Sequence, residues 1–128
     1  MGLSEKSPFY PLDAGRVILE GENCVAFYDG YPLNEGHALV VPFEPIASMY
    51  DLDDELQSEL WQMVGKVRKI LKEKFNPDGF NIGINDGAAA GQTMPHTHIH
   101  IIPRYTGDIE DPRGGIRRII PEKAKYWN

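Results

Sequence analysis

The alternation of apolar and polar positions outlines six elements. Val17-Ile18-Leu19 and Cys24-Val25-Ala26-Phe27-Tyr28 are short apolar runs separated by the polar stretch Glu20 to Asn23, which predicts a hairpin. Asp29-Gly30-Tyr31-Pro32 predicts a turn. His37-Ala38-Leu39-Val40-Val41, closed by Pro42, is nearly all apolar and predicts a strand buried on both faces. From Leu52 to Phe75, Leu56, Leu60, Met63, Val64, Val67, Ile70 and Leu71 recur at steps of three and four, the stripe of a long helix. Asp51 or Asp53 caps its start, lysines close its last turn, and Asn76-Pro77-Asp78-Gly79 ends it. Phe80 to Ile84 and His98 to Ile102 alternate like strands, the second stopped by Pro103. The order β-β-β-α-β-β predicts an α+β fold, an antiparallel sheet with one main helix packed on it.

Length and composition narrow the class. At 128 residues, 41% of them hydrophobic and 25% charged, the chain is expected to form one soluble domain over residues 1–128. Its core is expected over about 9–104. The last stretch, 105–128, is rich in Gly and Pro and reads as an irregular tail. The net charge of -6 argues against a nucleic-acid partner. No apolar run approaches membrane-spanning length, so no membrane partner is expected. Cys24 is the single cysteine and no secretory signal is visible, which together point to a reducing, cytoplasmic setting.

The chemistry concentrates in one segment. Three of the four histidines lie within His96-Thr97-His98-Ile99-His100. In an extended chain, side chains alternate, so these imidazoles share one face while Ile99 and Ile101 enter the core. Three readings compete: a solvated strand face, a metal site built from His at i and i+2, and nucleophilic or acid–base chemistry by neutral imidazole. The upstream loop favours the third. Asp86-Gly87-Ala88-Ala89-Ala90-Gly91 allows backbone N–H groups to approach an anion closely, and Gln92 and Thr93 add polar side chains.

From Ala90 to Arg104, Gly91-Gln92-Thr93-Met94-Pro95-His96-Thr97-His98-Ile99-His100-Ile101-Ile102 resembles the signature of the histidine triad (HIT) superfamily, in which three histidines alternate with apolar residues after a Gly-Gln-Ser/Thr segment. Thr97 stands where an apolar residue is usual. Asn34-Glu35-Gly36-His37-Ala38-Leu39-Val40-Val41-Pro42 resembles the family's earlier Gly-His strand. The resemblance implies a five-stranded antiparallel sheet with one long helix and short extra helical segments. It implies a nucleotide hydrolase or nucleotidyl transferase acting at an α-phosphate. Its substrate would be a dinucleoside polyphosphate or an adenosine phosphoramidate, and a nucleoside monophosphate would be released. By resemblance His98 is the nucleophile, forming a covalent nucleotidyl-histidine. The main-chain carbonyl of His96 would hold its other nitrogen, and His100 and His37 would contact the phosphates. Asn85, Gln92 and Thr93 match the phosphate-site polar groups, and Asp29 matches the position that accepts from the ribose hydroxyls. Asp29 is equally readable as a plain turn residue. Phe9, Phe27, Leu33 and Leu39 are candidates for a base pocket or for the core.

Further expectations follow from the same resemblance. Some relatives hold a structural zinc through an N-terminal Cys-x-x-Cys, a loop histidine and the first triad histidine. Here Ser7-Pro8-Phe9-Tyr10 and Pro45 occupy the matching places, so no zinc is expected. No cofactor is required, and a divalent cation is expected only as a companion of the nucleotide's phosphates. Many relatives are two-fold dimers, which makes a homodimer the expectation here. Residues 104–128 carry six basic and four acidic side chains, against the acidic trend of the rest. Some of Arg104, Arg113, Arg117 and Arg118 are therefore expected at the site mouth, meeting distal phosphates or a second nucleotide. A nucleotide-binding regulatory module without turnover and a histidine-based metal-binding protein remain the alternative classes.

Overall fold

The computed structural model describes residues 2–128. Five strands form one antiparallel sheet: β1 Val17–Glu20, β2 Cys24–Tyr28, β3 Ala38–Pro42, β4 Gly79–Gly83 and β5 Ile99–Arg104. Their order across the sheet is β1-β2-β3-β5-β4. Helix α1, Asp54–Phe75, connects β3 to β4, and a short helix α2, Pro121–Ala124, closes the chain. Four 3-10 turns cover Ala14–Arg16, Met49–Asp51, Ala88–Ala90 and Gly115–Ile119. This is the α+β architecture expected, with the short extra helical segments.

The sheet separates two cores. On one face Cys24, Ala26, Ala38, Val40, Ile99 and Ile101 pack against Leu60, Met63, Val64, Val67 and Leu71 of α1. Each buried Val, Leu, Ile or Met side chain among these contributes roughly 1.5–3 kcal/mol of transfer free energy. On the other face Val25, Phe27, Leu39, Val41 and Phe43 are covered by Leu3, Phe9 and Leu12 of the N-terminal segment. The near-continuous apolar run of β3 is explained by this double burial. Within α1, Leu56 and Ile70 are only half-buried, at the borders of the stripe.

Helix boundaries follow their chemistry. Asp53 is the N-cap, its carboxylate accepting from Leu56 N–H at 2.8 Å. Asn76 ends the helix in the left-handed conformation, φ 49°, its N–H donating to Lys72 O.

Two sequence expectations need correction. Pro103 does not stop β5, which runs on to Arg104. The last β3 partner of β5 is Ile101, facing Ala38, so at Pro103 that side of the ladder is already free and no N–H is needed. The Pro103 carbonyl instead accepts from Asn34 Nδ2 at 3.0 Å. The segment 105–128 is also more ordered than an irregular tail. Arg117 donates to Lys123 O and Ala124 O, tying the Gly115–Ile119 turn to α2.

Candidate active site

The four histidines meet on the sheet face opposite α1. Strand alternation sends Ile99 and Ile101 into the helix-side core and leaves His100 half-buried on the other side, next to His98. His98 and His96 lie just before β5 rather than within it. Leu39 pairs with His100 across the β3–β5 ladder, and His37 sits one residue before β3. Gly36 holds that approach. Its φ is +89°, and a Cβ there would fall 2.8 Å from Phe75 Cδ2.

Backbone groups decide where each imidazole carries its proton. A carbonyl only accepts, so the nitrogen facing it carries hydrogen. His96 is fully buried, and its Nε2 donates to Pro42 O at 2.8 Å. Its Nδ1, 2.7 Å from Ser7 Oγ, therefore accepts from that hydroxyl. The same hydroxyl accepts from Phe9 N–H at 3.0 Å. His98 Nδ1 donates to His96 O at 2.9 Å, so its Nε2 keeps the lone pair. Among the described residues no protein group hydrogen-bonds that Nε2. Phe9 lies edge-on to the His98 ring, 5.4 Å between centroids, and limits its rotation.

His37 works in the opposite sense. Leu33 N–H donates to its Nδ1 at 3.0 Å, so the neutral ring carries hydrogen on Nε2. That Nε2 donates to His100 Nδ1 at 3.0 Å. His100 then carries its own hydrogen on Nε2. The result is one imidazole with a free lone pair, His98, beside one with a free N–H, His100. Their rings are 5.0 Å apart.

Burial favours the neutral form of His37, His96 and His100. It is the first cause holding His37 and His96 below the ordinary imidazole range. For His37, Asp29 pulls the other way without prevailing. His100 is pushed down to about 4, by burial first and then by repulsion from His98 and His37.

Asp29, Asn85, Gln92 and Thr93 are placed unequally. One carboxylate oxygen of Asp29 accepts from Tyr31 N–H at 2.9 Å, closing a local turn. The other lies 3.5 Å from His37 Nε2, so Asp29 borders the histidines. Asn85 and Thr93 are exposed, and Asn85 lines the same cavity as His100. Gln92 spends its amide on the loop itself. It accepts from Gly87 N–H and donates to Ala47 O and Met94 O, at 2.9, 2.8 and 3.0 Å. Gly87 and Gly91 adopt φ near +99° and +98°, which this loop requires. Of the base-pocket candidates, Phe27 and Leu39 are buried in the core, Phe9 is partly buried, and Leu33 is exposed.

The groups that sequence reading missed are mostly backbone. Leu33 N–H and Pro42 O set two tautomers, and no side-chain pattern announces them. Ser7 was visible only as a residue standing where a zinc thiolate would. In the structure its hydroxyl takes the first triad histidine's Nδ1, and Pro42 O takes the Nε2. Both donor positions of His96 are thus engaged by protein, and a zinc does not fit there. Asp29, His37 and His100 bring three potential ligand atoms within 4.8 Å of one another. The Leu33 N–H on His37 Nδ1 keeps the hydrogen on Nε2, the nitrogen a cation would need.

The tail arginines divide as well. Arg104 is held by Asp108 and Asn81. Arg113 pairs with Asp111 and stacks on Trp127. Arg117 is committed to Lys123 O and Ala124 O. Arg118 alone of the four lines a cavity with His100. Among the described residues no helix is long and apolar enough to cross a membrane.

Comparison with known proteins identifies the family. The HIT domain family model covers residues 13–107. The AP-4-A phosphorylase of Mycobacterium tuberculosis is 36% identical over 97 residues, 75% of this chain and 50% of that protein. The asymmetrical bis(5'-nucleosyl)-tetraphosphatase of Schizosaccharomyces pombe is 40% identical over 96 residues, 75% of this chain and 53% of its own. The chain thus spans about half the length of these curated relatives. The crystal structure of a HIT family protein from Bacillus anthracis superimposes with a TM-score of 0.69 at 38% identity, covering 73% of this chain and 66% of that one. The chain belongs to the HIT domain family.

Proposed function

We propose that the protein is a nucleotide hydrolase or nucleotidyl transferase that cleaves a dinucleoside polyphosphate at an α-phosphate through a nucleotidyl-His98 intermediate. The observation that carries this reading is the pairing of His98, with a free Nε2 lone pair, and His100, with a free Nε2–H. The names of the two relatives, both concerned with dinucleoside tetraphosphates, support the substrate class.

The chemistry follows from the proton positions. The His98 Nε2 lone pair attacks phosphorus and an N–P bond forms. The P–O bond to the leaving phosphate breaks, and that oxygen departs with the electron pair. His98 acquires positive charge, which the Nδ1–H bond to His96 O stabilises. His100 Nε2–H donates to a phosphoryl oxygen as negative charge builds. In the second half, water attacks the same phosphorus, the N–P bond breaks, and its electrons return to His98. The water's proton leaves to solvent and a nucleoside monophosphate is released. Splitting one displacement into two lowers each barrier.

Asn85, which lines the cavity with His100, and the exposed Thr93 are the side chains proposed to meet phosphate oxygens. Asp29 is proposed to accept from the ribose hydroxyls. Its carboxylate keeps unfilled acceptor positions, since one oxygen accepts a single N–H. Gln92 is proposed to act through the loop it braces. The same displacement would cleave an adenosine phosphoramidate, the nitrogen taking a proton from solvent as the P–N bond breaks and leaving as ammonia. No cofactor is needed for these steps. The open β4 edge of the sheet and the half-exposed Trp61 on α1 support the expected homodimer. A reducing cytoplasmic setting fits the single buried thiol, Cys24. The test is product analysis with diadenosine tetraphosphate in ¹⁸O-water. One label in the released monophosphate is expected, and no turnover of any dinucleoside polyphosphate would refute the reading.

A further inference from the structure

Beside His100 and Asn85 lies a cavity of about 490 Å³ whose other walls take no part in the chemistry above. One wall is the β4–β5 end of the sheet, and the other is the Gly115–Ile119 turn of the tail. That turn lies beyond residues 13–107, the part matched by the family model. The tail thus supplies one wall of the cavity, and strands β4 and β5 supply much of the rest. On this wall β4 has no side chain at Gly83, the residue paired with His100. A Cβ there would already touch Ile116 Cδ1 at 3.8 Å.

Its lining has two chemical parts. Leu33, Ile116 and Ile119 surround it and are 72%, 66% and 70% exposed. Three large apolar side chains left in water around one opening mark a surface that gains by being covered. The second part is polar. Arg118 supplies a cation on the tail side, and Asn85 supplies an amide on the loop side. Arg118 Nε is tied to Arg113 O at 3.1 Å, and one terminal nitrogen reaches Asp111 only at 4.0 Å. Its guanidinium keeps donors for a ligand. Apolar walls with one cation and one amide suit a flat base joined to a phosphate, and the volume lies in the range of small-molecule sites.

We propose that this cavity is the leaving-group subsite: it holds the second nucleoside of a dinucleoside polyphosphate, with Arg118 on the distal phosphates. The assignment rests on the nucleotidyl-transfer reading above. It also explains why the tail is basic in an acidic protein. Occupation of the cavity aligns the departing half of the substrate without changing the phosphoryl centre itself. The tail thereby sets substrate preference.

The test compares two substrates that share the adenylyl group and differ in the leaving group, diadenosine tetraphosphate and adenosine 5′-phosphoramidate. The variants are Arg118→Glu and the double variant Ile116→Ser with Ile119→Ser, with fold and oligomeric state checked by circular dichroism and sedimentation. For each variant kcat/KM for the tetraphosphate is expected to fall about tenfold relative to the phosphoramidate, with Arg118→Glu acting mainly on KM. Equal losses on both substrates, or no loss on either, would overturn the subsite. So would loss of activity that tracks dissociation of the protein into monomers. If the unaltered protein cleaves neither substrate, the nucleotidyl-transfer reading itself fails, an outcome distinct from unselective variants of an active enzyme.

Discussion

His37 Nε2 lies 3.0 Å from His100 Nδ1, and the Leu33 N–H on the far side of the His37 ring determines which of the two nitrogens carries the hydrogen. His100 is thereby left with its N–H on Nε2, the nitrogen not bonded to His37. Replacing His37 by Ala removes this selection and opens the space beside His100. The kcat/KM for a dinucleoside polyphosphate is expected to fall by one to two orders of magnitude, the scale of a misplaced acid–base group. Nitrogen-15 NMR is expected to show His100 as a single Nε2–H form in the unaltered protein and as a mixture in the variant. A single form and an unchanged rate in both would contradict the relay.

Ser7 holds the ring of His96 from the N-terminal segment, and the His96 carbonyl accepts from His98 Nδ1. Ser7→Ala leaves His96 Nδ1 and Phe9 N–H without their partner in a buried site. A loss of about 1–3 kcal/mol in unfolding free energy is expected by urea titration. The kcat is expected to fall several-fold with KM little changed, because His98 is less firmly oriented. Unaltered stability would show that the hydroxyl carries none of this load.

Proton binding by the buried histidines makes stability depend on pH. The unfolded chain takes up protons near pH 6.5, whereas the folded protein holds His37, His96 and His100 neutral to lower pH, about 4 for His100. Between those values the unfolded state binds more protons, so stability rises with pH. The contribution is present in full above pH 6.5 and is lost as pH falls towards 4. The Tm is accordingly expected to drop from pH 6.5 to 5, above the range where most carboxylates titrate. His100→Asn is expected to flatten that slope, and an identical slope in the variant would refute the assignment.

Much of this was legible from residue pattern. The strand and helix order, the α1 stripe and the sharing of one face by His98 and His100 follow from periods of two and about 3.6. The extension of β5 through Pro103 was not legible, because it depends on β3 pairing with β5 only as far as Ile101. The bracing role of Gln92 was also hidden, since the Gly87, Ala47 and Met94 backbone groups that engage it belong to a folded loop. The charge pattern marked the tail as basic, but only the fold separates Arg118, which lines the cavity with His100, from the three arginines that do not.

Cys24 is fully buried, and its thiol donates to Glu59 Oε2 at 3.3 Å. Burial first, and Glu59 after it, push the thiol up to about 12. The thiolate is the reactive form, so folded protein is expected to resist thiol reagents at pH 8 and to react with one equivalent after unfolding. Rapid labelling of the folded protein would show that the sheet opens near β2.

The account rests on His98 as nucleophile, and the adduct itself is the most direct evidence. Acid-free rapid quenching of the protein with diadenosine tetraphosphate, followed by intact and peptide mass spectrometry, is the measurement. One adenylyl group on the peptide containing His98 is expected within a single turnover, absent from His98→Ala, whose turnover is expected to fall by at least three orders of magnitude. An adduct on another residue, or a His98→Ala protein that turns over at the unaltered rate, would contradict the mechanism.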